Sequence, residues 1–241
     1  MADGEAMVSA RGTLSGVGVG PGDPELVTVK AMRLISQAPV IAYLAAAGRE
    51  STALAIARPY VPDSARHIVI DMPMLTERGP GEKAYDKGAA AIAAELDQGQ
   101  DVVMLCEGDP FFYGSFMYVF ERLSPRYRCA VIPGVTAMTA SAAALGQPLS
   151  ARNAVVKVLP ATLPDDRLRD ELMTAESAAI IKAGRHFGRV RSIIRMLGLQ
   201  AHAHVVIKAS HTDERIVALE EVEEDAIPYF STVLVLTGAV T

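Results

Sequence analysis

The sequence predicts an α/β protein of two α/β domains, residues 1–134 built on a mainly parallel sheet and residues 135–241 on a mixed one. Three observations predict this. Short β-rich runs alternate with helical patterns through the first half, the order that makes βαβ units and a parallel sheet covered on both faces. Turn residues punctuate nearly every junction. In the second half, six residues separate the candidate strands 204–208 and 215–219, whereas a parallel crossover needs a dozen or more, so part of that sheet is antiparallel.

The first domain should carry strands at 14–19, 40–44, 67–71, 101–106 and 129–132, with helices near 24–37, 51–58, 82–98, 114–123 and 136–145. Asp23 is a plausible cap for the first helix, and Pro24 suits its first position, where the missing N–H has no partner to lose. The pattern changes at Pro133-Gly134, or shortly after the helix that closes at Gly146-Gln147-Pro148. Strands are then expected at 154–159, 178–182, 204–208, 215–219 and 230–236.

Of the 241 residues, 50% are apolar and 21% charged, a balance that folds rather than one that stays disordered. The net charge of −5 argues against a general nucleic-acid binder. The longest nearly unbroken apolar run, residues 38–47, is too short to span a bilayer, which takes roughly 20 residues. Asp3 and Glu5 stand where a secretory signal carries basic charge, so a cytoplasmic protein with no membrane partner is expected. Cys106 and Cys129 lie in apolar, strand-like runs, the setting of two buried reduced thiols.

Three clusters close the first, fourth and fifth strands of the first half. Gly16 to Pro24 reads GVGVGPGDP and resembles a dinucleotide fingerprint only superficially. Pro21 holds the position of the third glycine and offers no N–H, and the second strand ends at 42–45 without a ribose-binding acid. Cys106 to Gly114 reads CEGDPFFYG: Gly108 admits a close ligand, and Asp109 either accepts from ribose hydroxyls or an ammonium, or caps a helix begun by Pro110. Pro133 to Ala137 opens a helix rich in small residues, where backbone N–H groups and the Thr136 hydroxyl face outward. In open α/β sheets ligands bind outside the carboxyl ends of the strands, where all three clusters lie. His202 and His204 would share one face of a strand, a weak metal motif without further ligands. No P-loop, GxSxG elbow or HExxH is present.

The segments GVGPGDPELVTVKA, CEGDPFFYG and PGVTA, in that order and spacing, resemble the tetrapyrrole methylases, a class III methyltransferase family. KAGRH, KASHTDERIV and YFSTVLVL are similar to the branch that methylates C20 of precorrin-2 in cobalamin biosynthesis, and the likeness runs from about Gly12 to Gly238. The resemblance implies a homodimer with S-adenosylmethionine in a cleft between two domains, no metal held by the protein, and a tetrapyrrole substrate. It implies cofactor contacts at Pro21, Glu107, Gly108, Asp109, Phe112, Thr136, Ala137, Ala183 and Ala209. Ala183 stands where relatives often carry Met, and Ala209 where they often carry Gly, so backbone contact is expected there.

The implied substrate is a polycarboxylate, which basic side chains would receive. Residues 182–195 hold Lys182, Arg185, Arg189, Arg191 and Arg195 with no acid, while residues 213–225 hold seven acids. Arg185 and His186 are the substrate candidates there, with Arg189, Arg191 and Arg195 a solvated helix face; Tyr43 and Arg49 are candidates on the first domain. No catalytic residue is assigned. The rival readings are a cobalt-factor II C20-methyltransferase, another tetrapyrrole methylase such as a uroporphyrinogen III methyltransferase, a ribosomal RNA methylase, and a nucleotide-binding regulatory module without catalysis.

Overall fold

The computed structural model describes residues 11–46, 48–73, 78–223 and 225–237, and the chain divides into two compact units between Val135 and Thr136. Asp3, Glu5, Ala47 and Gly238 lie outside the described residues.

The first unit is a five-stranded, wholly parallel sheet: β1 (Thr13–Gly18), β2 (Val40–Ala46), β3 (Arg66–Met72), β4 (Val102–Cys106) and β5 (Arg128–Ile132), in the order β3-β2-β4-β1-β5. Its helices are α1 (Val29–Ser36), α2 (Thr52–Ala57), α3 (Arg78–Asp97) and α4 (Phe116–Leu123). Because side chains alternate along a strand, Leu14, Val102 and Met104 face α3 and α4, while Val17, Val103 and Leu105 face α1 and α2. Phe116 of α4 is fully buried and is worth about 2–3 kcal/mol by its apolar surface.

The expected helix at 24–37 is broken in two. Asp23 accepts from Glu25 N–H at 2.8 Å and caps only a 3-10 turn, Pro24–Leu26; Val27 is extended, and Thr28 caps α1 by accepting from Ala31 N–H at 3.2 Å. The Thr28 hydroxyl competes with a continuing helix and wins. Of the two thiols, Cys106 is buried, but Cys129 is half-exposed, because β5 is an edge strand. Burial pushes both thiols up, Cys106 further through the neighbouring Glu107 and Asp109 carboxylates, which disfavours the thiolate at each.

The second unit has a mixed sheet of β6 (Val156–Pro160), β7 (Ser177–Ile181), β8 (Ala203–Ile207), β9 (Arg215–Ala218) and β10 (Ser231–Leu236), ordered β6-β7-β10-β8-β9. β6 and β7 are parallel and every other pair is antiparallel, including the short β8–β9 connection. β10 is the central strand and is buried along its whole length. α5 (Ala137–Leu145) lies against β10 and β8, its Ala140, Ser141 and Ala142 small enough for a close approach. Two further helices, α6 (Asp165–Met173) and α7 (Phe187–Met196), bury Leu168, Leu172, Phe187, Val190 and Ile194 in the core.

Candidate functional site

β1 and β4 are neighbours, yet the chain leaves β1 toward α1 on one face of the sheet and leaves β4 toward α4 on the other. Their carboxyl-end turns therefore diverge, opening the crevice in which open α/β sheets bind ligands. Below it, the turns are pinned together. Val19 N–H donates to the Cys106 carbonyl at 2.9 Å, and Gly20 and Gly108 exchange hydrogen bonds of 3.3 and 2.8 Å. A Cβ on Gly18 would lie 2.5 Å from the Gly108 oxygen and 2.7 Å from the Gly134 Cα; one on Gly134 would lie 2.1 Å from the Gly108 oxygen. Three backbones thus meet where no side chain fits, which gathers Pro21, Gly108, Asp109 and Gly134 into one locality.

Asp109 does not cap a helix begun by Pro110, since α4 starts at Phe116. Its Oδ1 accepts from Phe111 and Phe112 N–H at 2.9 and 3.0 Å, and its Oδ2 from Gly134 N–H at 3.1 Å. The carboxylate is a clasp between the turns after β4 and β5. Glu107 is turned toward α2, where Ala53 N–H donates to it; burial pushes its carboxyl above the ordinary carboxylate range. Its backbone, rather than its side chain, faces the turn with Gly108. Phe112 is half-buried beside Tyr113.

The remaining cofactor candidates belong to the second unit. Thr136 caps α5, its Oγ1 accepting from Thr139 N–H at 3.3 Å, with Ala137 the first helical residue. Ala183 and Ala209 stand two residues beyond the ends of β7 and β8, and both are buried as whole residues, backbone as well as methyl. Each is preceded by a lysine in the left-handed region, Lys182 at φ 58° and Lys208 at φ 52°. β7 and β8 both run antiparallel to β10, so their carboxyl ends lie at the same end of the sheet.

Among the substrate candidates, Tyr43 and Arg49 come together in a groove of about 380 Å³ over β2 and the edge strand β3, beside α2. Tyr43, Ala45, Val69 and Asp71 supply its floor; Ser51, Leu54 and Arg58 complete the wall. The Tyr43 hydroxyl is 3.2 Å from His67 Nδ1, and burial raises its pKa. Arg58 pairs with Glu50, whereas Arg49 has no carboxylate partner among the described residues. Sequence reasoning missed Arg58 and Asp71, which a period-two reading of 67–71 against the helix at 51–58 would have brought to the same face.

The basic run of the second half is a different matter. Arg189 donates to the Leu163 carbonyl at 2.8 Å, to the Ala161 carbonyl and to Asp165; Arg191 donates to the Val222 carbonyl and, at 2.6 Å, to Asp225; Arg195 pairs with Glu220 at 2.5 Å. These three do not form a free solvated face, because Asp225 and Glu220 fold back onto Arg191 and Arg195, and Asp165 with two carbonyls holds Arg189. Arg185 stays exposed, with no carboxylate partner among the described residues, next to His186. Burial and the Arg185 and Arg189 charges hold the His186 imidazole below its ordinary pKa. His202 and His204 do not share a strand face: His202 sits in the 3-10 turn Gln200–His202 and only His204 is in β8. Among the described residues no group of three or more His, Cys, Asp or Glu is placed to hold a metal, and no helix is long and apolar enough to cross a membrane.

The family model of the Tetrapyrrole (Corrin/Porphyrin) Methylases matches residues 13–223. The chain belongs to this family. Within the methylases, it is 41% identical to the cobalamin biosynthesis protein CobIJ of Mycobacterium tuberculosis, over 96% of this chain and 47% of that protein. The chain thus spans about half the length of the first curated relatives it matches. It is 38% identical to a precorrin-2 C(20)-methyltransferase of Sinorhizobium sp., over 93% of this chain and 95% of that one. Among solved methylases, the cobalt precorrin-4 methyltransferase CbiF shares the fold, with a TM-score of 0.73 at 21% identity, covering 94% of this chain and 95% of that one. The uroporphyrin-III C-methyltransferase of Thermus thermophilus, described in complex with S-adenosyl homocysteine, gives a TM-score of 0.69 at 25% identity, covering 93% and 92%. The methylase match encloses the pinned turns after β1, β4 and β5 and the ends of β7 and β8.

Proposed function

We propose that this chain is an S-adenosylmethionine-dependent methyltransferase that methylates precorrin-2 at C20 to give precorrin-3A in cobalamin biosynthesis. The observation that carries the reading is the 38% identity to a precorrin-2 C(20)-methyltransferase along nearly the whole of both chains. The residues present fit such a cofactor. The close approach of Gly18, Gly108 and Gly134 holds the turns after β1, β4 and β5 together, and Pro21, Glu107, Gly108, Asp109 and Phe112 on the first two of these turns are the proposed cofactor contacts. Thr136, Ala137, Ala183 and Ala209 are the proposed contacts from the second unit.

When bound, S-adenosylmethionine supplies a methyl already activated on a sulfonium, so the protein's task is alignment of nucleophile, methyl and leaving sulfur. Asp109 serves that task indirectly, ordering its own turn through the Phe111 and Phe112 N–H groups and tying it to the turn after β5 through Gly134 N–H. Arg185 and Arg49 are cations without carboxylate partners among the described residues, suited to substrate carboxylates; His186 and Tyr43 stand beside them. We further propose a cytoplasmic homodimer that engages neither nucleic acid nor membrane and holds no metal of its own; cobalt, where involved, enters with the substrate.

The test is methyl transfer from labelled S-adenosylmethionine to metal-free precorrin-2, read by mass spectrometry as one added methyl. A transfer seen only with cobalt-loaded substrate moves the assignment to the rival that a 29%-identical cobalt-precorrin-2 C(20)-methyltransferase of Salmonella typhimurium favours. Failure to bind S-adenosylmethionine or its demethylated product up to millimolar concentration overturns the enzyme reading. Arg185→Glu should weaken precorrin-2 binding by at least tenfold, and unchanged binding would remove Arg185 from the site.

A further inference from the structure

The groove over β2 and β3 is bordered by two arginines that the fold leaves available. Elsewhere an arginine is held by several groups at once: Arg122 donates to Asp86, Glu82 and the Tyr118 carbonyl, and Arg191 to Asp225 and the Val222 carbonyl. Arg58 pairs with Glu50, and the two side chains are 64% and 65% open to solvent. An ion pair so exposed contributes little, so another carboxylate can take the place of Glu50 at small cost. Arg49, next to Glu50 in the chain and lining the same groove, has no carboxylate partner among the described residues.

Both guanidinium stems start from fixed points. α2 is anchored by Ala53, Ile56 and Ala57, all buried, and by Ser51, whose hydroxyl accepts from Leu54 N–H at 3.4 Å. Arg49 precedes that cap by two residues, and Arg58 closes the helix at its other end. Between them the groove has an apolar floor, with Tyr43 buried and Val69 46% exposed. The Arg58 charge acts on the Tyr43 phenol, against the burial that raises it, which places the guanidinium close to this floor. Two cations over an apolar floor match a carboxylate carried on a short aliphatic arm: methylenes against the floor, oxygens to the guanidinium forks. Asp71, on the β3 side of the same floor, repels a second carboxylate, so the groove takes one such arm.

We propose that Arg58, together with Arg49, grips one carboxylate arm of the tetrapyrrole in this groove, and that Glu50 stands in for that carboxylate, holding Arg58 until the substrate displaces it; this rests on the methyltransferase reading above.

Full-length Arg58→Ala, Arg58→Lys, Glu50→Gln and the double variant carrying both Arg58→Ala and Glu50→Gln test it, through kcat and KM for methyl transfer to precorrin-2 and the affinity for S-adenosyl homocysteine by calorimetry. Arg58→Ala should raise KM by about tenfold, with kcat changing less. Arg58→Lys, which keeps the charge and loses the fork, should recover part of that KM. Glu50→Gln should act in the opposite direction and lower KM about two- to fivefold, the whole contribution of an exposed pair to the free protein. Removing any acid from the groove also lowers KM through its field, so the double variant decides: with Arg58 gone, Glu50→Gln should change KM by less than about 1.5-fold. S-adenosyl homocysteine should bind every variant within about twofold of wild type. An unchanged KM in Arg58→Ala overturns the proposal, as does a Glu50→Gln effect that persists without Arg58, or a KM that rises in Glu50→Gln. A loss of S-adenosyl homocysteine affinity equal to the rise in KM overturns it too, by making Arg58 part of the cofactor site. A wild-type protein that binds S-adenosyl homocysteine but methylates no tetrapyrrole fails differently, by removing the substrate class itself.

Discussion

Replacing Gly134 by Ala puts a methyl where three turns already touch. Its Cβ would stand 2.1 Å from the Gly108 oxygen and 2.9 Å from the Gly18 Cα. A carbon and an oxygen that are not bonded settle at about 3.3 Å, so one backbone must retreat by roughly 1 Å. The Gly108 oxygen cannot yield freely, since it accepts from Gly20 N–H, and Gly108 N–H is tied to the Gly20 carbonyl. Overpacking of this sort costs about 1–3 kcal/mol, and disturbing the Gly20–Gly108 bridge about 1 more. For a chain of this size that is a fall of roughly 5–15 °C in melting temperature. Thermal unfolding followed by circular dichroism measures it, and calorimetric titration with S-adenosyl homocysteine should show at least a tenfold loss of affinity. Gly81→Ala is the control: in α3 its Cβ would meet only the Met72 methyl, at 3.8 Å, and the variant should gain up to about 1 kcal/mol. A Gly134→Ala protein that melts and binds like wild type would refute the claim that the glycines set the spacing of the turns.

Asp109→Ala, which removes an acceptor from three N–H groups, should destabilise by about 2–3 kcal/mol in urea unfolding, and Asp109→Asn by less, because Oδ1 can be kept while the link to Gly134 is lost. Glu107 has a folded pKa above its unfolded one, so its contribution is full below about pH 4.5 and lost as pH rises through the folded value. Glu107→Gln, which retains a carbonyl for Ala53 N–H, should therefore melt higher than wild type at pH 7.5, and the gap should close as the pH falls toward 4.5; a gap independent of pH counts against burial as the cause. Arg191, 11% exposed, hydrogen-bonded to the Val222 carbonyl and 5.3 Å from the centre of the Phe187 ring, should cost about 2 kcal/mol when replaced by Ala. The same change at Arg195, whose pair with Glu220 is half in solvent, should leave the melting temperature where it was, even at high salt.

The strands of the first half were legible because each is a short apolar run bounded by Gly, Pro or Asp, and β1, β2 and β4 begin and end within two residues of their expected positions. The helices of the second half were harder. Asp165–Met173 buries only Leu168 and Leu172 and is otherwise mostly charged, so its apolar stripe is too thin to read from periodicity. The site divides in the same way. The clusters at Pro21, Gly108 and Pro133 were visible because glycine and proline mark backbone that must turn. Gly134, the third N–H partner of Asp109, is 25 residues away, and the partners of Arg189, Arg191 and Arg195 lie 24 to 34 residues away, so no local pattern could show that one carboxylate is a clasp and three arginines are engaged.

The place of β10 has a consequence for synthesis. The first unit has all five of its strands once residue 132 has left the ribosome, and none of its ladders waits for anything later. In the second unit, β7 and β8 are joined only through β10, the last strand of the described chain to emerge. Until residues 231–236 arrive, the nascent chain holds two separate strand pairs, β6 with β7 and β8 with β9, each with an apolar inner edge open to other chains. Protection of this half by chaperones should thus be needed late in translation, and a ribosome stalled at residue 230 should expose it to protease while the first unit resists.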